Sequence, residues 1–132
     1  MIVDTSVLVC LHEGEPDADQ FLSAMLDATH LRMSAGTLIE TCLVLDSRAP
    51  LRTSRRLDQL LADLQLTVVP VDEEQAVIAR AAYRDYGNGS GHPAGLNFGD
   101  CFAYTLARLT REPLLFKGDD FSHTDITAAL PR

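Results

Sequence analysis

The chain opens Met1-Ile2-Val3-Asp4-Thr5-Ser6, a short apolar run that stops at a carboxylate and passes directly into helical sequence. That unit, strand then acid then helix, sets the reading of everything downstream. Thr5 to Leu11 reads as a short helix broken by Gly14 and Pro16, and Asp17 to Ala28 repeats apolar residues at helical spacing through Ala18, Phe21, Leu22, Met25 and Leu26. Leu31 to Ser34 is a second strand, Ser34 caps a helix over about Ala35 to Ser47, and Pro50 closes that segment. Thr53 to Leu64 carries Leu57, Leu60, Leu61 and Leu64 on one helical face. Leu66 to Val71 is a third strand, and Asp72 caps a helix to about Tyr86. Gly87 to Gly95 is a loop. A helix from Asn97 puts Phe98, Cys101, Phe102, Thr105, Leu106 and Leu109 on its apolar stripe, with Tyr104 off it, and ends at Pro113. Leu114 to Phe116 is a fourth strand, Gly118-Asp119-Asp120 a turn, and a fifth strand over Ile126 to Leu130 is weakly marked.

Strands alternating with helices predict an α/β fold with a central parallel sheet of four or five strands. At 132 residues the chain suits a single domain over 1–132. No stretch approaches the ~20 apolar residues of a membrane span, and the N-terminus does not read as a signal peptide, so a cytoplasmic protein is expected. Cys10, Cys42 and Cys101 show no Cys-x-x-Cys spacing and read as reduced, buried thiols. His12, His30, His92 and His123 show no paired metal spacing and read as surface or loop residues.

In parallel sheets ligands gather at the carboxyl ends of the strands. Asp4 ends the first strand there, and Asp119 follows the fourth. Asp100 lies in the first turn of a helix that must begin at the same edge to deliver the chain to the bottom of the fourth strand. Glu40 is six residues beyond Ser34, roughly 8–9 Å below the edge at ~1.5 Å per residue, and side chains lean back toward a helix N-terminus. Four acids from distant segments therefore converge. Each has an ordinary local reading. Asp4 can cap a helix, Asn97-x-x-Asp100 resembles a capping box, Gly-Asp-Asp is turn chemistry, and Glu40 could be a solvated helix residue. Together they repel one another unless a counter-charge is present. Mg²⁺ and Mn²⁺ prefer oxygen ligands and suit such a cluster, where they can activate water and stabilise a leaving oxygen at phosphorus.

A net charge of −8 argues against a simple nucleic-acid binder, whose phosphate contacts come from Lys and Arg. It is less damaging to an enzyme whose metal ions invert the local charge. A run of Arg48, Arg52, Arg55 and Arg56, with Lys117 beside the acidic edge, offers possible RNA contacts, a solvated face, or an ion pair in the case of Lys117. A phosphoacceptor receiver domain is disfavoured because the first strand ends in one acid and Val69-Pro70-Val71 lacks the acceptor. A haloacid-dehalogenase-type phosphatase needs Asp-x-Asp where Asp4-Thr5-Ser6 stands.

Four segments resemble the PIN-domain ribonucleases, and in particular VapC-type toxins of VapBC toxin–antitoxin systems. They are Met1 to Ser6, Ser34-Ala-Gly-Thr37-Leu-Ile-Glu40, Leu96-Asn97-Phe98-Gly99-Asp100-Cys101-Phe102-Ala103 and Leu114-Leu-Phe-Lys117-Gly118-Asp119-Asp120-Phe121. The third is the most specific, and the set spans the chain in order. The resemblance implies a three-layer α/β/α PIN-like fold and a Mg²⁺- or Mn²⁺-dependent endoribonuclease that cuts single-stranded RNA, forms a homodimer and is blocked by a cognate VapB antitoxin. It places Asp4, Glu40, Asp100 and Asp119 as catalytic and metal-holding acids, with Ser6, Asn97 and Asp120 as supporting polar residues. Many relatives separate the two aspartates of the last turn by one residue. Here they are adjacent, so either can take the fourth place. The alternative is an inactive PIN-like module that only grips RNA or a partner.

Overall fold

The computed structural model describes residues 1–48 and 50–131, with backbone only for 50–54. Elements run β1 (Ile2–Val3), α1 (Thr5–Glu13), α2 (Ala18–Leu26), β2 (Arg32–Ser34), α3 (Ala35–Asp46), α4 (Pro50–Asp63), β3 (Thr67–Val69), α5 (Glu73–Tyr86), α6 (Asp100–Thr110) and β4 (Leu114–Leu115). A 3₁₀ turn over Asp120–His123 follows. The strands pair in parallel in the order β3-β2-β1-β4, which makes β1 central.

Side chains alternate across a strand, and here alternation divides the core between two faces. Ile2 and Leu114 join Leu96, Ala103, Tyr104, Leu106 and Phe121 beneath α5 and α6. Val3 and Leu115 join Val7, Leu8, Phe21, Met25 and Met33 beneath α1 and α2. The result is the three-layer α/β/α arrangement expected. Asp4, Ser34 and Asp72 cap α1, α3 and α5 through side-chain bonds to Ser6, Gly36 and Gln75 N–H groups. Gly14 ends α1 in the left-handed conformation at φ 68°.

Several expectations change. Pro50 opens α4 instead of only closing what precedes it, as its missing N–H allows at a first helical position. The fifth strand is reduced to a parallel bridge, Leu114 to Ala128, held by Leu114 N–H to Thr127 O and Ala129 N–H to Leu114 O. α6 begins at Asp100, not Asn97, so Phe98 leaves the apolar stripe and is 75% exposed. Phe102 stays partly covered beside it, with their rings edge to face at 5.0 Å. Tyr104 is buried and donates its hydroxyl to Asp125 at 2.7 Å. His12 is buried in the last turn of α1 with both ring nitrogens unpartnered, not on the surface. Cys10 and Cys101 are buried free thiols, and Cys42 is partly covered.

Helix α3 approaches α6 closely at Gly36, where any Cβ would fall inside the Phe102 ring. This contact sets the two acid-bearing helices side by side. Gly36→Ala is expected to lose about 1–3 kcal/mol by overpacking. Urea unfolding should also show that combining it with Phe102→Ala costs less than the two losses added.

Candidate active site

Asp4 stands at the end of β1, buried, and its position follows from the chain turning directly into α1. Its Oδ2 accepts the Ser6 N–H at 3.0 Å and the Ser6 hydroxyl at 2.6 Å. The same hydroxyl accepts the Lys117 N–H at 2.9 Å, which ties the exit of β4 to the first acid. Among the described residues Asp4 Oδ1 is buried without a partner. Burial raises the Asp4 pKa above its ordinary value, the Ser6 donors pull it down, and the charge of Asp120 adds to the rise.

Asp100 occupies the first turn of α6. Its Oδ2 accepts the Asn97 N–H at 2.7 Å, and Asn97 Oδ1 accepts the Asp100 N–H at 3.0 Å. This reciprocal exchange has the bonding pattern of a capping box with Asp in place of Glu, set in the turn that leads into α6, whose N-cap is Gly99. It does not exclude a second role. Burial pushes the Asp100 pKa from 3.8 up to about 7, against the Asn97 bond, with further contributions from Asp4, Asp120 and Glu40.

Glu40 lies on α3, half-buried, and accepts the Thr5 hydroxyl at 2.8 Å. Burial raises its pKa, Thr5 lowers it, and Asp4 raises it. Its carboxylate lies against Gly99, where a Cβ would overlap it. Sequence reasoning passed over Thr5 and Gly99 as site residues. The available signal was their position immediately after Asp4 and before Asp100.

The last turn brings Asp120 into the electrostatic field of both Asp4 and Asp100. Asp119 caps the 3₁₀ turn by position, and both are exposed. Lys117 does not stand free for RNA. It pairs with Glu15 at 2.5 Å and Asp17 at 3.0 Å, which raises its pKa and fastens the α1–α2 loop to the end of β4. Arg48 pairs with Glu13, Arg55 and Arg56 are exposed on α4, and the Arg52 side chain lies outside the described residues.

Four carboxylates thus share one field at the carboxyl end of a parallel sheet. Among the described residues no group of three or more His, Cys, Asp or Glu side chains is drawn together as a finished ligand cage. The donor set nonetheless suits a hard divalent cation. It is all oxygen, one buried oxygen lacks a partner, and Mg²⁺ keeps several waters when only one or two carboxylates hold it.

An α/β/α sheet with acids gathered at its carboxyl edge is an arrangement that nucleases share with other small α/β enzymes. The chain matches the PIN domain over residues 1–126, and it belongs to that family, among the VapC ribonucleases. It is 51% identical over 132 residues to ribonuclease VapC28 of Mycobacterium tuberculosis, covering 100% of this chain and 99% of the relative. It is 50% identical over 129 residues to VapC42 of the same species, covering 98% of each. Ribonucleases of this kind are typically metal-dependent. In fold it resembles M. tuberculosis VapC20, described as a sarcin–ricin loop cleaving toxin, at a TM-score of 0.78 and 17% identity over 98% of each chain. A toxin–antitoxin complex from Klebsiella pneumoniae gives 0.71 and 18%, over 98% of this chain and 97% of that one. Among the described residues no helix is long and apolar enough to cross a membrane.

The raised Asp100 pKa has a signed consequence. Between about pH 4 and 7 the folded protein holds a proton that the unfolded chain has released, so stability falls as pH rises through that window. The metal-free protein is expected to melt several degrees higher at pH 5 than at pH 8. Asp100→Asn should remove much of that slope in a calorimetric pH series. A melting temperature that climbs toward pH 8 would contradict it.

Proposed function

We propose that this PIN domain, spanning 1–132, is the toxin of a type II toxin–antitoxin pair and a Mg²⁺- or Mn²⁺-dependent endoribonuclease cutting single-stranded regions of RNA. The observation that carries the reading is the buried, unpartnered Oδ1 of Asp4, in the company of Glu40, Asp100 and Asp120. A carboxylate oxygen left bare in a buried site is costly unless a cation completes it.

Asp4 and Asp100 would hold the principal ion, with Glu40 beside them. When bound, the ion supplies a lowered water pKa and charge stabilisation at phosphorus. The protein's own groups do the rest. Ser6 keeps Asp4 Oδ2 occupied and so presents Oδ1. Asn97 fixes the plane of Asp100, and the dense negative charge favours the deprotonated site only when a cation is present. Hydrolysis would leave 5′-phosphate and 3′-hydroxyl ends. Of the two adjacent aspartates, Asp120 is the better fourth acid, because its charge acts on both Asp4 and Asp100. Asp119 would then support the turn. Arg55 and Arg56 remain possible backbone contacts, whereas Lys117 serves the fold through its ion pairs.

Partners follow the same reading. The Klebsiella structure is a toxin–antitoxin complex, and a cognate VapB-type antitoxin would cover this site. A homodimer is supported by Ile39 and Leu43, 61% and 66% exposed on α3, and by Phe98 over a groove of about 370 Å³ between α5 and α6. Apolar exposure of this kind marks interaction surfaces. Leu43→Asp is expected to shift the protein toward monomer in light scattering.

Fluorogenic single-stranded RNA should be cleaved with Mg²⁺ or Mn²⁺ and spared with EDTA. Asp4→Asn and Asp100→Asn should each lower the rate by ~100-fold or more, the scale of loss when a key charge-stabilising group is removed. Both variants should stay folded, since each removes a repelled charge. Asp120→Asn should cost more than Asp119→Asn. Cleavage that persists in EDTA, or in both Asn variants, would overturn the assignment.

A further inference from the structure

We infer that Thr5 and Gly99 are positioning residues that set where the Glu40 carboxylate stands, and through it how firmly the site holds a divalent cation. The inference rests on the nuclease reading of the site and deepens it.

The Thr5 hydroxyl is buried and has two acceptors in reach: Glu40 Oε2 at 2.8 Å and the Thr37 carbonyl at 3.3 Å. Thr41, fully buried, donates to that same carbonyl at 2.8 Å and lies 3.2 Å from Thr5 Oγ1. With Thr41 on the carbonyl, the Thr5 proton goes to Glu40, where the acceptor is charged and the bond short. A β-branched residue is stiff at χ1, so the bond fixes one oxygen of a long, otherwise mobile side chain. The link joins α1 to α3 directly beside Asp4.

Gly99 acts from the other side. Its φ of −64° and ψ of −43° are ordinary right-handed helical values, so the backbone does not require glycine. What requires it is Glu40, whose Oε1, Cδ and Oε2 occupy the volume a Cβ would take. The obstructed group is the far end of a flexible side chain, so an added methyl would displace Glu40 and leave the fold standing. Thr5 holds the carboxylate, and Gly99 leaves the space for it within the field of Asp100.

The test is Mn²⁺ binding to the purified full-length protein by titration calorimetry, without RNA, alongside thermal melts. Thr5→Val and Gly99→Ala should each weaken Mn²⁺ binding about 10–100-fold, the range for losing a group that orients a ligand, while Thr5→Ser stays within about threefold of wild type. Gly99→Ala should melt close to wild type, which separates positioning from structural damage and keeps the test open if Thr5→Val folds poorly. In a Glu40→Gln background neither substitution should weaken binding further. Equal losses with and without the Glu40 carboxylate, or unchanged binding in Gly99→Ala, would overturn the inference and leave the cation site intact. Absence of Mn²⁺ binding by the wild-type protein would remove the site reading and the inference together.

Discussion

Like charges crowded at the open end of a parallel sheet are the constraint around which this molecule is arranged. Asp4 cannot retreat, because β1 is the central strand and the next residue is already helical. Ser6 meets the cost of burying that carboxylate only in part, satisfying one oxygen and leaving the other bare. Burial, with the charges of Asp4, Asp120 and Glu40 added to it, pushes Asp100 up to about 7. Lys117, two residues from Asp119 in sequence, is engaged instead by Glu15 and Asp17 on the α1–α2 loop. That cation is thereby committed to the fold, not to the acids at the sheet edge.

The frame that holds the acids apart from collapse is made of small, local devices. Ser6 fastens β4 to β1 through one hydroxyl that both accepts and donates. Gly36 lets the Phe102 ring seat α6 against α3. Neither contact is strong by itself. Each fixes a carboxylate-bearing element relative to its neighbour, and positional error of about an ångström is what such a site tolerates least.

Sequence patterning disclosed the elements because most of their signals are local. Ser34 and Asp72 cap where expected, since a cap depends on residues two or three positions away. The parallel sheet follows from strands separated by helices, and the places of Asp4 and Asp100 at its carboxyl edge follow from a strand end and a helix start. What failed depended on distant partners. Tyr104 is buried because Asp125, twenty-one residues on, accepts its hydroxyl. Lys117 reads equally as a phosphate contact or as half of an ion pair, and the choice falls to Glu15 and Asp17, about a hundred residues upstream. The start of α6 was misplaced for a local reason. Periodicity counts Phe98 into the stripe, but the Asn97–Asp100 exchange starts the helix three residues later and turns that ring outward. The resemblance favours Asp119 for the fourth place, whereas the charge that raises the pKa of both Asp4 and Asp100 is that of Asp120.

The local and functional readings of these acids are not rivals. A carboxylate at a helix N-terminus is oriented by backbone N–H groups whose geometry the helix fixes in advance. Asp4 is held this way at α1, and Asp100, in the first turn of α6, commits one oxygen to the Asn97 N–H just ahead of that helix. Capping lowers the rotational freedom of the side chain and opposes the pKa rise that burial imposes, without supplying a positive charge. A carboxylate bonded in this way is therefore held rigidly while its charge stays unneutralised by the bond. Glu40, in the middle of α3, has no helix terminus to orient it. For this acid the chain uses a side-chain donor on a neighbouring helix and a missing side chain on another.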